Sequence, residues 1–297
     1  MKPIAKGPVK NNLIPGSDGA GVVVDVGSAV TSFKAGDKVV THIALNNADD
    51  DMPSVEDLAT GLGERTDGTL RRLGVFRQSA LVHMPTNLSF AQAATLTCTG
   101  LTAWNALMCS LGRAVGPGDY VLVQGTGAVS VAALEIAVAA GATVIATTST
   151  DAKATRLRTL GAKHVINYRS TTNWGQVARS FTPKGRGVDF VVDTGGYATL
   201  DESMSATKVN GVVCVTGASG GFGVEKPDVF QVLFRAVVLR GICVGTRGML
   251  QDMVRFVERH DLKPAIDDVT FGLKEVKEAF KRLEDKKHFA KIIIMMD

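Results

Sequence analysis

Several signals are missing from this sequence. No apolar run reaches the roughly 18 residues a membrane-spanning helix needs. The opening MKPIAKGPVKNNLIP lacks the apolar core of a secretory leader. The four cysteines (Cys98, Cys109, Cys214 and Cys243) stand far apart with no C-x-x-C pair, so buried reduced thiols are expected rather than a disulfide framework. His42, His83, His164, His260 and His288 are equally scattered, and no H-x-x-x-H spacing announces a metal site. Neither sign of charge dominates: 33 basic against 29 acidic residues leave +4, too little to call for nucleic acid or a membrane surface as partner. A cytoplasmic protein is expected.

At 297 residues the chain exceeds what one core usually organises, so two lobes are expected. Glycine is plentiful, with 32 residues, which points to tight turns or close backbone approach to a ligand. Residues 20–45 carry β-branched runs broken by Gly and Asp, predicting antiparallel strands. From Asn46 to Leu73 the composition turns polar, with Asp49, Asp50 and Asp51, and a solvated loop is expected. Ser89 and Gln92 have the spacing of a capping box. After Pro117 the texture changes. YVLVQ (120–124), TVIATT (143–148), HVIN (164–167), VDFVVD (188–193), GVVCVTG (211–217) and VLRGICVG (238–245) read as strands, separated by helical stretches near 129–140, 151–160, 173–181, 197–207 and 227–236. Apolar strands alternating with helices predict an α/β fold, a doubly wound parallel sheet covered on both faces.

Gly125-Thr126-Gly127-Ala128-Val129-Ser130 lies between the first of these strands and its helix. It is G-x-G-x-x-S: the first glycine allows the turn, the second lets a pyrophosphate approach the backbone, and Ser is small enough at the third position. Phosphate oxygens then meet free N–H groups at the positive helix end. A dinucleotide is therefore the expected ligand. After the second strand an NAD site places a carboxylate for the ribose hydroxyls, whereas this chain has Thr147-Thr148-Ser149-Thr150 and, after Asp151, Lys153. Hydroxyls and a cation suit a 2′-phosphate, which favours NADP(H). An ordinary helix cap at Ser149 or Thr150 explains the same residues and can coexist with that role.

The stretches IPGSDGAGVVVDVG (14–27), FKAGDKV (33–39), TLTCTGLTAWNAL (95–107), GPGDYVLVQGTGAVS (116–130), LGAKHVINY (160–168), GRGVDFVVDTGG (185–196) and HFAKIII (288–294) together resemble the medium-chain dehydrogenase/reductase superfamily, in its zinc-free, quinone-oxidoreductase-like form. The resemblance implies a Rossmann domain at 98–250, with a GroES-like β-barrel substrate lobe formed by 1–97 and 251–297. It places Thr102 near the nicotinamide, Gly125, Thr126, Gly127, Ala128 and Val129 on the pyrophosphate, and Ser149, Lys153 and Tyr168 around the adenosine phosphate. Thr194, Gly195, Thr216, Gly217, Val244 and Gly245 follow at the ends of later strands. Relatives usually begin about fifty residues earlier, so the substrate lobe reads as truncated and no catalytic residue is assigned. Its remaining apolar runs, VVVDV (22–26) and KVV (38–40), are expected to lie uncovered.

Zinc-dependent relatives carry His–Glu where this chain has Ser17-Asp18, and only Cys98 stands at a zinc-ligand position, so no zinc is expected. The implied activity is NADPH-dependent hydride transfer to a small activated C=C, quinone or carbonyl substrate. A zinc-independent alcohol dehydrogenase or ketone reductase, and a catalytically weak NADPH sensor, are the alternatives. A homodimer through VLRGICVG is expected, because that strand would otherwise be an exposed apolar edge.

Overall fold

The computed structural model describes residues 10–45, 47, 49–221, 223 and 225–296. Two compact units emerge, Met1–Leu101 with Cys243–Asp297, and Thr102–Ile242.

In the discontinuous unit, β1 (Ala20–Val22), β2 (Lys38–Thr41) and β3 (Leu81–His83) form an antiparallel sheet, with Ala20 opposite Val40 and Val40 opposite Val82. The polar stretch expected as loop holds one helical turn, α1 (Val55–Ala59), whose Ser54 and Asp57 make a capping box; residues 46 and 48 of that stretch lie outside the described residues. The Ser89–Gln92 box forms as anticipated and opens α2 (Phe90–Ala93). KVV is not uncovered: Val39 and Val40 are buried, whereas Val22 and Val24 are 50% and 68% exposed. Position in the sheet accompanies the difference: β2 is the central strand, paired on both sides, whereas Val22 ends the edge strand β1 and Val24 lies beyond it.

The contiguous unit opens with α3 (Leu101–Met108), which follows a π-helical turn at Leu96–Gly100. It continues through β4 (Tyr120–Gln124), α4 (Ala128–Ala139), β5 (Thr143–Thr148), α5 (Asp151–Thr159), β6 (His164–Asn167), α6 (Trp174–Ser180), β7 (Val188–Asp193), α7 (Leu200–Ala206), β8 (Thr207–Val215), α8 (Gln231–Arg235) and β9 (Val238–Gly241). All neighbouring strands are parallel, in the order β6-β5-β4-β7-β8-β9. The chain thus winds outward from β4, returns to its other side at β7, and leaves a switch point between the two. Leu122, Ile145, Val191 and Val213 stack one core face and are fully buried.

Two elements depart from expectation. The helix anticipated at 227–236 is only α8, and the strand anticipated at 238–245 stops at Gly241. Beyond it Val244 has φ +60°, a left-handed conformation that a β-branched residue adopts at a cost and that cannot continue a strand. The contiguous unit is accordingly narrower than 98–250. From Cys243 the chain joins the other unit, where α9 (Arg247–Arg259) packs on β3 and Arg247 Nε donates to the Leu81 carbonyl at 2.9 Å. Last come β10 (Ile266–Gly272), α10 (Val276–Glu284) and β11 (Lys291–Met295), the two strands pairing in parallel.

At the amino end of β7, Asp189 is buried and ion-pairs with Lys208, with Arg186 at 3.3 Å and with Arg113 at 3.7 Å, while accepting the Tyr120 N–H at 2.9 Å. Burial pushes its carboxyl up, but Lys208, the Tyr120 N–H and Arg186 together outweigh this and hold it below the ordinary aspartate value. The carboxylate therefore stabilises the fold above its unfolded pKa of about 4, and that contribution disappears as pH falls through the depressed folded value. Asp189→Asn should cost about 1–3 kcal/mol at pH 7, since its cations stay within reach of water. Denaturant melts of both proteins should converge as pH is lowered toward 3; a gap that stays constant from pH 7 to 3 would contradict the assignment.

Candidate functional site

The crevice at the switch point is built from the last residues of β4, β7 and β8. Gly125 turns the chain out of β4 at φ +76°, open to glycine without strain, and its N–H is held by the Thr147 carbonyl at 2.9 Å. A Cβ added at Gly127 would meet no protein atom within 4 Å. Packing inside the protein therefore does not demand glycine there, which fits a backbone kept bare for a ligand. Gly127 is the N-cap of α4 and supplies no side-chain cap, so the first N–H groups of a 12-residue helix face outward with their dipole uncompensated. Ser130, at the third position of the motif, donates its hydroxyl back to the Gln124 carbonyl at 2.5 Å. That bond closes the turn, and it gives the serine a role beyond being small.

Across the crevice, Thr194 donates its N–H to Gln124 Oε1 at 3.3 Å and its hydroxyl to the Gln124 carbonyl at 3.3 Å. Thr216 donates N–H and hydroxyl to the Asp193 carbonyl, at 2.8 and 3.0 Å. A Cβ on Gly217 would come within 3.1 Å of the Thr194 carbonyl, so these loops pass closely. Gly125 to Val129, Thr194, Gly195, Thr216 and Gly217 are thus gathered at the carboxyl ends of β4, β7 and β8, where open sheets bind ligands.

A second group assembles at the ends of β5 and β6. The Tyr168 N–H donates to the Thr148 carbonyl at 3.0 Å, and the Tyr168 side chain is 42% exposed. Thr150 caps α5 by accepting the Lys153 N–H, so Ser149 directly precedes the cap and Lys153 lies in the first turn of the helix. The Thr148 hydroxyl is buried and has no hydrogen-bond partner in the protein. Thr102 is buried in the first turn of α3. Val244 and Gly245 are also buried but belong to the discontinuous unit.

The sequence reading missed the polar network beneath the crevice. Asp193 is fully buried and accepts from Gln124 Nε2 at 3.1 Å, Ser203 Oγ at 2.5 Å, Thr199 Oγ1 at 2.9 Å, and the Gly195 and Gly196 N–H groups at 3.1 and 2.8 Å. Its signal was present: VDFVVD and YVLVQ both end an apolar strand on a polar residue, in adjacent strands.

In the other unit, Ser17 donates to Asp18 at 2.9 Å, and Asp18 is ion-paired with Lys291 of β11. Burial pushes the Cys98 thiol up to about 12, and Asp18 adds to the shift. Burial alone would lower the Lys291 ammonium's pKa; Asp18 and Cys98 reverse that and hold it above the ordinary lysine value. Asp18 and Cys98 are thereby neighbours of a protein cation, and Ser17 is tied to it through Asp18. Among the described residues no group of three or more His, Cys, Asp or Glu side chains is arranged to hold a metal. None of the helices searched there is long and apolar enough to cross a membrane.

Family models for a zinc-binding dehydrogenase and for an alcohol dehydrogenase GroES-like domain match residues 128–259 and 2–86. A zinc-type alcohol dehydrogenase-like protein of Schizosaccharomyces pombe is 39% identical over 295 residues, covering 98% of this chain and 84% of that protein. The solved structure of an NAD-dependent alcohol dehydrogenase superposes with a TM-score of 0.87 at 34% identity, over 100% of this chain and 86% of the other. A 2-octenoyl-CoA carboxylase reductase in complex with NADP and 2-octenoyl-CoA gives a TM-score of 0.81 at 25% identity, over 96% and 68%.

The distinctive residue at the crevice is Ser130. Ser130→Ala should loosen the turn and weaken dinucleotide binding by about three- to tenfold, the effect of one hydrogen bond. Isothermal titration of the two proteins checks this, and equal affinities would show that the Ser130–Gln124 bond does not shape the turn.

Proposed function

Given that the chain belongs to the medium-chain dehydrogenase/reductase superfamily, as an alcohol-dehydrogenase-like oxidoreductase, we propose that it reduces a small activated C=C or quinone substrate with NADPH, without zinc. The observation that carries the zinc-free reading is the ion pair of Asp18 with Lys291 beside Cys98. The carboxylate is already neutralised by a protein cation and Ser17 is not a zinc ligand, which leaves Cys98 as a single thiol, so this donor set does not fit a three-ligand catalytic zinc. Bound NADPH supplies the hydride. Conjugate addition suits a site without a metal Lewis acid: the negative charge develops on an enolate oxygen, which N–H groups and hydroxyls can meet. Interconversion of a simple alcohol and ketone is the second reading, favoured by the relatives named as alcohol dehydrogenases. A cytoplasmic setting accords with the four free thiols.

The preference for the 2′-phosphate rests on the β5–α5 connection. Between Thr148 and α5 no carboxylate is available to bind ribose hydroxyls, Ser149 offers a hydroxyl, and Lys153 lies in the first turn of the helix. Thr148 is buried, so an acidic substitution there would bury a charge; Lys153 is the better probe. Lys153→Ala should weaken NADPH about tenfold and leave NADH within about twofold. Fluorescence titration of both cofactors tests this, and equal loss for both would reject the phosphate assignment. An enone and quinone panel followed by NADPH oxidation, with and without chelator, tests the reaction. Zinc lost together with activity, or turnover of alcohols alone, would overturn it.

A homodimer is part of the same proposal. β9 is an edge of the sheet, and Val229, Phe230, Leu233 and Phe234 beside it on and before α8 are 60–73% exposed. A two-fold pairing of β9 with its copy would continue the sheet and cover these side chains. Phe234→Glu should shift the protein toward monomer in light scattering; a wild-type monomer at micromolar concentration would exclude the arrangement.

A further inference from the structure

Asp193 is a fully buried carboxylate, and none of its five donors is charged. Burying an ion without a counter-ion is costly, and neutral donors offset that cost only when their geometry is held. The donors spread over both oxygens, with Thr199 bridging them. Oδ1 takes the Gly195 and Gly196 N–H groups, which fixes the loop after β7, and the Thr199 hydroxyl lies 2.9 Å from each oxygen. Oδ2 takes Ser203 of α7 and the amide of Gln124, the last residue of β4. Gln124 is held at its other end as well, because its Oε1 accepts the Thr194 N–H, and its main-chain carbonyl accepts the Ser130 hydroxyl from the first turn of α4. One carboxylate therefore grips both walls of the crevice at the switch point: the glycine turn through Gln124, and the 194–196 loop directly.

A second consequence concerns the anion. The Gly195 and Gly196 N–H groups are spent on Asp193, so they are not offered to a phosphate. Of the two walls, only the uncapped start of α4 presents free N–H groups to the pyrophosphate.

We propose that Asp193 is a positioning residue, which through Gln124 sets the spacing and orientation of the glycine turn against the β7 loop and thereby the affinity for the pyrophosphate-bearing part of the dinucleotide. This inference rests on the dinucleotide reading given above. It separates two halves of the ligand: Asp193 governs the crevice between β4 and β7, whereas the adenosine phosphate belongs to the β5–β6 ends.

The test uses Asp193→Asn, Gln124→Met and the reciprocal double variant Asp193→Asn/Gln124→Glu. The Asp193→Asn change keeps the acceptor for the loop and turns a donor toward the Gln124 amide. In the double variant, the new carboxylate at position 124 accepts from the new side-chain amide at position 193 and from Ser203. It still takes the Thr194 N–H, and the second N–H of the amide at position 193 replaces the Gln124 amide as donor to Ser203, so the network re-forms with the charge moved across the crevice, apart from the Thr199 contact with Oδ2. Affinities are measured for NADPH, for NADH and for adenosine 2′-monophosphate, which carries the adenosine phosphate and neither phosphate of the pyrophosphate, together with the melting temperature. Asp193→Asn should weaken NADPH by about tenfold or more, and Gln124→Met by about five- to tenfold. Both should leave adenosine 2′-monophosphate within about twofold, and the double variant should recover most of the NADPH affinity. Should Asp193→Asn fail to fold, the milder Gln124→Met alone decides.

Unchanged NADPH affinity in the single variants overturns the inference. So does a parallel loss of adenosine 2′-monophosphate and NADPH that the double variant leaves uncorrected, since that is the mark of a merely structural role. A wild-type protein that binds neither dinucleotide overturns the cofactor reading and this inference together, whereas wild-type binding with indifferent variants overturns this inference alone.

Discussion

A parallel strand buried on both faces has nowhere to put polar chemistry except its two ends. In the six-stranded sheet this constraint governs both charged residues of β7 and the polar end of β4. The strand interiors (Val121, Leu122, Val123, Phe190, Val191, Val192) are sealed, so Asp189 at one end and Asp193 at the other carry the polar burden. The two ends meet the same desolvation problem in opposite ways. Asp189 is matched by Lys208, Arg186 and Arg113, long side chains whose heads still reach water. Asp193 is matched by hydroxyls, an amide and two peptide groups. Cations at the carboxyl end would compete with the helix dipole for an anionic ligand; neutral donors leave that attraction to α4.

The other unit relies on charge where its sheets are small. Asp267 is buried, with Arg282 at 2.8 Å and the Phe289 N–H at 2.7 Å, and so fastens α10 and the chain before β11 to β10. His42 is buried with its ring nitrogens 3.0 and 3.1 Å from the Ala44 and Gly245 carbonyls. Burial holds this histidine below its ordinary pKa, although a neutral ring can donate to only one of the two. The strained Val244 stands next to that contact, so the left-handed turn that ends β9 is held from the side by a β2 neighbour.

The inner strands of the contiguous unit were legible because burial on both faces writes an unbroken apolar run: YVLVQ, TVIATT and VDFVVD have the ends read from the sequence. The short edge strand HVIN kept its ends as well, while two later runs did not. β8 begins at Thr207 rather than 211, passing through Asn210 at φ +57°, and the apolar run after β9 belongs to a turn. Within the candidate site, the glycine turn was readable because its φ and its bare backbone demand particular residues. The Asp193 network was not, because its members lie up to 79 residues apart and are joined only by the strand order. The Lys291–Asp18 pair was equally invisible: nothing local in HFAKIII marks its lysine as the partner of an aspartate 273 positions away.

That separation has a consequence in time. A ribosome adding about 5–20 residues per second reaches Lys291 roughly 14–55 seconds after Asp18. During the interval the contiguous unit can emerge and close around its own sheet, since every strand it pairs lies between Thr102 and Ile242. The β1–β2–β3 sheet is complete by His83, yet its cover, α9, is made much later. The nascent protein therefore carries a finished nucleotide-type domain beside a half-built lobe whose apolar strands await roughly the last fifty residues. Demand for a chaperone, and vulnerability to proteolysis during synthesis, should fall on the first hundred residues.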